Sequence, residues 1–132
     1  MKTSRKKRSG FTIIELMIVL VIVALLLALA YPSYINYVRK AKRGEAQQLV
    51  LNWSINQEIW RSNNTEYATL AQLPAPQHDD YDFTLPARSA IAYTLQAAAG
   101  NDQLNDKARD GTPCTTLTLD QSGVKAPAAC WD

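Results

Sequence analysis

One apolar run, FTIIELMIVLVIVALLLALAY at positions 11–31, limits what this chain can become. As a helix rising about 1.5 Å per residue, it reaches about 30 Å, the hydrocarbon thickness of a bilayer. Glu15 is the single charge in the run. A carboxylate in hydrocarbon costs about 2.5–3.5 kcal/mol or more at a helix centre, so its presence calls for a partner. The chain has 132 residues, which leaves about a hundred for a soluble part and supports one domain.

Charge is unevenly placed. Lys2, Arg5, Lys6, Lys7 and Arg8 crowd the start, and positions 11–132 hold 9 basic against 12 acidic residues, a net −3. That balance does not suggest nucleic-acid binding by bulk charge. Cys114 and Cys130 are the two cysteines. With no second cysteine pair or histidine cluster beside them, a disulfide in an exported tail is a better reading than zinc. The leading basic cluster favours a cytoplasmic N-terminus, and Arg39, Lys40, Lys42 and Arg43 after the run oppose it. The cysteines decide for a C-terminus outside the cytoplasm.

Three fates of the run compete. It can be a cleaved signal peptide, with Ala28-Leu29-Ala30 as the small-residue site. Pro32, the length of the run and Glu15 speak against that. It can be a permanent anchor whose Glu15 faces a partner helix. Or it can be processed at the junction between charged leader and apolar run, after Gly10. The string Gly10-Phe11-Thr12-Ile13-Ile14-Glu15 behind a short basic leader resembles the type IV prepilin motif. The resemblance implies cleavage after Gly10 by a membrane-embedded peptidase, N-methylation of Phe11 and an assembly role for Glu15. Pro32, within YPSY, matches the usual kink position of that family.

On that reading Glu15 gains a counter-charge. Cleavage creates an α-amine at Phe11, four residues before Glu15 and therefore on the same side of a helix that starts there. The macrodipole also favours a carboxylate at that end. In a bundle, the amine of a neighbouring subunit is an alternative partner.

Beyond Pro32 the helical pattern continues. Tyr31, Tyr34 and Tyr37 recur every three residues and fit an interfacial belt or helix packing. Pro32 removes one backbone donor, so a kink or local melting is expected. Over 41–60 two apolar stripes emerge: Ala46, Leu49, Val50, Trp53 and Trp60 on one side, Leu51, Ile55 and Ile59 on another. The first can cover a sheet; the second needs a filament core or burial in the same domain. A loop is expected over 61–77, then an acidic cluster of His78, Asp79, Asp80 and Asp82 without calcium-loop spacing. Alternation over 81–85 and 91–95 predicts a hairpin, 115–119 a third strand, and Gln121-Ser122-Gly123 a turn. The stretch 101–111 reads as an exposed loop.

The tail, from Cys114 through Gly123 and Lys125 to Cys130-Trp131, resembles that of PilE-type minor pilins, which implies a disulfide pinning the C-terminal segment beneath the last strands. The expected fold class is α+β, a long N-terminal helix packed on a small antiparallel sheet. Its expected parts are a leader (1–10, removed), a transmembrane and filament-core helix (11–38) and a periplasmic globular domain (39–132).

Composition offers one His and no nucleophile–base arrangement or phosphate loop, so a non-enzymatic subunit without a cofactor is expected. The resemblance implies a minor pilin of a type IV pilus, serving twitching motility, adhesion or DNA uptake. It implies as partners other pilin subunits, a prepilin peptidase and an inner-membrane assembly platform, with membrane lipid around the subunit before assembly. Two rivals have tests: a type II secretion pseudopilin, expected to respond to chelator rather than reductant, and a DNA-binding pilin. For the second, Arg88, Lys107, Arg109 and Lys125 are the candidate contacts, scattered and more readily read as solvated or packing charges.

Overall fold

A computed structural model describes residues 10–131. Of the leader, only Gly10 falls among the described residues. The secondary structure begins with one helix, α1 (Ile13–Asn63). The strands that follow are β1 (Tyr81–Arg88), β2 (Tyr93–Ala99), β3 (Thr116–Asp120) and β4 (Lys125–Ala126). Two 3-10 helices, Asn101–Asn105 and Ala128–Cys130, lie between β2 and β3 and after β4. The expected fold class is the one observed. α1 runs unbroken past Pro32, which itself donates no backbone hydrogen bond, so local melting there is not seen.

The chain divides into two compact units, the first ending at Ile35 and the second starting at Asn36. In the first, every large apolar side chain from Phe11 to Leu29 is exposed, as are Tyr31 and Tyr34. α1 is long and apolar enough to cross a membrane.

The second unit is built on an antiparallel sheet in the order β1-β2-β3-β4. Register explains its two faces. Phe83 pairs with Ala97, and Leu95 with Leu119, so Tyr81, Phe83, Tyr93, Leu95, Ala97, Leu117 and Leu119 all point to one buried side. Ala46, Val50 and Trp53 of α1 complete that core. This is the first predicted stripe. Burying one large aliphatic side chain such as Leu95 or Leu117 contributes about 1.5–3 kcal/mol.

Three boundaries differ from expectation. α1 runs to Asn63, into the expected loop. β1 runs to Arg88 despite Pro86, because the ladder slips between Thr84 and Ala87, where a residue without an N–H is tolerated. The second strand starts at Tyr93 rather than Ile91. Ile91 lies 78% exposed in a turn whose Ile91 and Ala92 N–H groups donate to Ser89 Oγ. The second apolar stripe splits: Leu51 packs against the core, whereas Ile55 and Ile59 stay exposed.

Candidate functional site

The N-terminal end of α1 is organised by a threonine. Glu15 N–H donates to Thr12 Oγ1 at 3.2 Å, and Leu16 N–H donates to the Thr12 carbonyl at 3.2 Å. Thr12 thereby caps the helix, and Thr12-Ile13-Ile14-Glu15 has the spacing of a capping box. Glu15 occupies the third helical position, where the macrodipole favours a carboxylate. Phe11 and Thr12 precede the helix. The expected alignment of Phe11 over Glu15 is therefore not imposed by helical geometry.

The dense basic stretch after the apolar run has a structural use. Arg43 Nη1 meets Asp106 Oδ2 at 2.7 Å, with the side chains 5% and 4% exposed. Arg39 grips Asp102 through two bonds, Nε–Oδ2 at 2.9 Å and Nη2–Oδ1 at 2.8 Å. Lys42 Nζ lies 2.7 Å from Asp80 Oδ2. Gln103 Nε2 donates to the Arg39 carbonyl at 2.8 Å and to Tyr81 Oη at 3.0 Å. The hydrogen bond from Arg39 holds the Asp102 carboxyl below its ordinary range, and the one to Asp80 raises the Lys42 ammonium. Residues 39, 42 and 43 thus latch α1 to the sheet-side loops; among them and Lys40, only Lys40 is fully exposed. Two members of the acidic cluster, His78 and Asp80, are engaged in the same way, whereas Asp79 and Asp82 are exposed. His78 Nε2 lies 3.2 Å from Glu45 Oε2, and Asp80 N–H donates to His78 Nδ1 at 3.1 Å.

The Cys114–Cys130 disulfide forms between the start of the last strands and the tail. Gln47 Nε2 of α1 donates to the Cys130 carbonyl at 2.5 Å, fixing the tail from the other side. Three of the four candidate DNA contacts lie exposed on the segments that lead into the two cysteines. Lys107 and Arg109 are exposed on the segment before Cys114, and a shallow cleft joins Arg109 to Ala129. Lys125 is exposed on β4, its Nζ 5.2 Å from the centre of the half-exposed Trp131 ring. Arg88 does not join them. It lies on β1, at the opposite edge of the sheet from β4, where Nη1 bonds Glu66 Oε2 at 3.1 Å and the Tyr67 carbonyl at 2.7 Å.

Several fixing residues carried no sequence signal of their role. Gln57, fully buried, donates to the Ala68 carbonyl at 3.1 Å and accepts from Ala68 N–H at 2.9 Å. Gln103 and Asp106 are buried partners of α1 drawn from a stretch that reads as exposed loop. The Thr-x-x-Glu spacing at 12–15 was the one local pattern that would have exposed the helix cap.

Residues 32–118 match the family model described as "Type IV minor pilin ComP, DNA uptake sequence receptor". Residues 5–31 match the prokaryotic N-terminal methylation motif. The type IV major pilin protein PilE1 of Neisseria gonorrhoeae is 31% identical over 108 residues, covering 76% of this chain and 65% of that protein. The type IV major pilin protein PilA of Myxococcus xanthus is 29% identical over 121 residues, covering 86% of this chain and 52% of that protein. The chain thus spans about half to two-thirds of the length of these curated relatives. Among solved structures, a type IV pilin from Shewanella oneidensis superposes with a TM-score of 0.57 at 29% identity, covering 71% of this chain and 98% of that one. With the methylation motif, an exposed apolar run at the start of α1 and a four-stranded antiparallel sheet packed on residues 46–53 of that helix, this chain belongs to the type IV pilins, a family of structural filament subunits and not of enzymes.

Proposed function

We propose that this pilin is a minor subunit that contacts DNA with the surface around its disulfide-bounded tail. The reading is carried by one contrast. Arg39, Lys42, Arg43 and Arg88 are each engaged by an acidic residue, whereas Lys107, Arg109 and Lys125 lie exposed with no ion pair among the described residues. Phosphate contacts need such cations free of acidic partners, and Lys125 is held on the half-exposed Trp131 ring, 5.2 Å from its centre. The match to the DNA uptake sequence receptor model supports the same class of ligand. In a filament such a subunit would also serve pilus assembly and pilus-dependent motility or adhesion. The disulfide-closed tail favours a pilus over a secretion pseudopilin whose tail is held by calcium.

The assembly half of the proposal concerns residues 1–15. The leader is removed after Gly10, Phe11 carries the new methylated amine, and Glu15 pairs with the amine of a neighbour as the helices bundle. Before assembly the N-terminus faces the cytoplasm and residues 39–132 lie in the periplasm. A prepilin peptidase and an assembly platform act on the subunit there. Pairing satisfies two charges that are each costly alone, which fixes register along the stack. Glu15→Leu should process normally and fail to enter filaments; undiminished entry would remove the charge-pairing step.

The DNA half is tested by fluorescence anisotropy of labelled duplex DNA with the full chain in detergent, between about 50 and 200 mM salt. Binding that weakens steeply with salt is expected. Lys107→Ala/Arg109→Ala/Lys125→Ala should weaken it and flatten the log–log salt slope by about 2–3. No binding, or a variant with unchanged slope, would overturn the reading.

A further inference from the structure

At the end of α1 an open cleft of about 230 Å³ is lined by Trp60, Asn64, Glu66, Gln72 and Arg88 among others. It lies at the sheet edge opposite the basic tail and plays no part in the functions proposed above. Its polar groups are held in place. Gln72 Oε1 accepts from Thr69 N–H at 2.9 Å and from Thr69 Oγ1 at 3.0 Å, which leaves its amide NH2 to donate outward. Asn64 Nδ2 donates to the Trp60 carbonyl at 2.8 Å, which leaves Oδ1 as an acceptor. Arg88 Nη1 and Nη2 both meet Glu66 Oε2, at 3.1 and 3.3 Å, which leaves Glu66 Oε1 as a second acceptor.

Fixed donors and fixed acceptors thus stand beside a half-buried indole. Each part narrows the ligand class. Glu66 offsets the Arg88 charge, so a phosphate or carboxylate gains little there. Most of the lining is polar, so a wholly apolar ligand would strand those groups without partners. The cleft is smaller than the about 300–1,000 Å³ of sites for drug-sized ligands, which suits a single ring. A sugar ring meets all three conditions. Its hydroxyls both donate and accept, its C–H face packs on an aromatic surface, and it carries no charge. We infer that the Trp60–Gln72–Arg88 cleft is a carbohydrate-binding site for one neutral pyranose unit. Its placement outside the apolar run and away from the tail leaves it free to work independently of DNA contact.

The test is saturation-transfer NMR on the full chain, in a detergent without a sugar headgroup. The probes are the methyl glycosides of glucose, galactose, N-acetylglucosamine and N-acetylgalactosamine. Each is supplied at about 10 mM, near saturation for a dissociation constant of about 1 mM. At least one should receive saturation, strongest at its ring C–H protons. Trp60→Ala and Gln72→Leu should each weaken binding about tenfold, close to 1.4 kcal/mol. Gln72 is exposed, so its replacement leaves the fold in place even if Trp60→Ala disturbs it. Absence of transfer to all four probes would overturn the assignment, as would transfer of undiminished intensity with an unchanged dissociation constant in both variants. Displacement of the sugar by millimolar inorganic phosphate would overturn it too, by marking a charge-driven anion site.

Discussion

Arg43 and Asp106, 63 positions apart, meet at 2.7 Å with both side chains almost wholly enclosed. Breaking such a pair leaves an uncompensated buried charge, which is strongly destabilising, by about 3–5 kcal/mol. Asp106→Ala should therefore lower the unfolding free energy of residues 36–132 by that amount in urea. Arg43→Met/Asp106→Leu removes both charges and should recover most of the loss. A single variant within about 0.5 kcal/mol of the parent would mean that the latch does not hold the loop.

The disulfide constrains the unfolded chain as much as the folded one. Cys114 and Cys130 are 16 positions apart, a closure that stabilises by about 3 kcal/mol in the chain-entropy model. Cys114→Ser/Cys130→Ser, or reductant, should lower Tm accordingly, and chelator should leave it unchanged. A chelator-sensitive, reductant-insensitive transition would reverse this assignment and favour a calcium-held tail.

Buried tyrosines set the alkaline limit. Burial is the chief cause that pushes Tyr81 up to about 12, and burial likewise raises Tyr93, with Glu58 adding to it. The folded state holds these protons more tightly than the unfolded chain, whose tyrosines titrate near 10. Their contribution to stability is therefore complete below about pH 10 and drains away as pH rises through the folded-state values, about 12 for Tyr81. On the acid side Asp102, lowered by Arg39, contributes above the ordinary value of 3.8 and loses its contribution as pH falls below it. Being exposed, it contributes little. Tyrosinate absorbance followed with circular dichroism should show Tyr81 and Tyr93 ionising only as the fold is lost. Ionisation near pH 10 with the fold intact would contradict their burial.

Ile55 and Ile59 share a ridge of α1, 55% and 58% exposed, while the opposite side of that helix packs on the sheet. Ile55→Ser/Ile59→Ser should change the melting of residues 36–132 little and sharply reduce the subunit's share of purified pili. Loss of fold with no effect on incorporation would place the ridge inside the domain instead.

How much of this was legible beforehand follows from the range of each signal. The core stripe Ala46–Val50–Trp53 and the alternations around Phe83, Leu95 and Leu117 are written in neighbouring residues, so periodicity finds them. Ile91 fitted the same alternation but lies in the turn, because Ser89 offers its backbone N–H groups a nearer partner than a strand would. β4 has two residues, too few for any period to register. The latch was invisible for a different reason: Arg39 to Asp102 and Arg43 to Asp106 are pairings across 63 positions, and only the folded chain brings them together. A run of basic residues reads as one patch in sequence, yet three of its four members are engaged by separate acids. The tail showed the converse for one residue, since Arg109, isolated in sequence, shares a cleft with Ala129 of the segment that the disulfide ties down.

Mass spectrometry of the N-terminal peptide from purified pili bears most directly on the proposed life of this subunit. Its first residue should be Phe11, with a methyl group on the amine and Glu15 four residues beyond. A peptide beginning at Met1, or at Tyr31 after signal-type cleavage, would leave Glu15 without the amine it is proposed to meet, and would contradict assembly by charge pairing at the filament core.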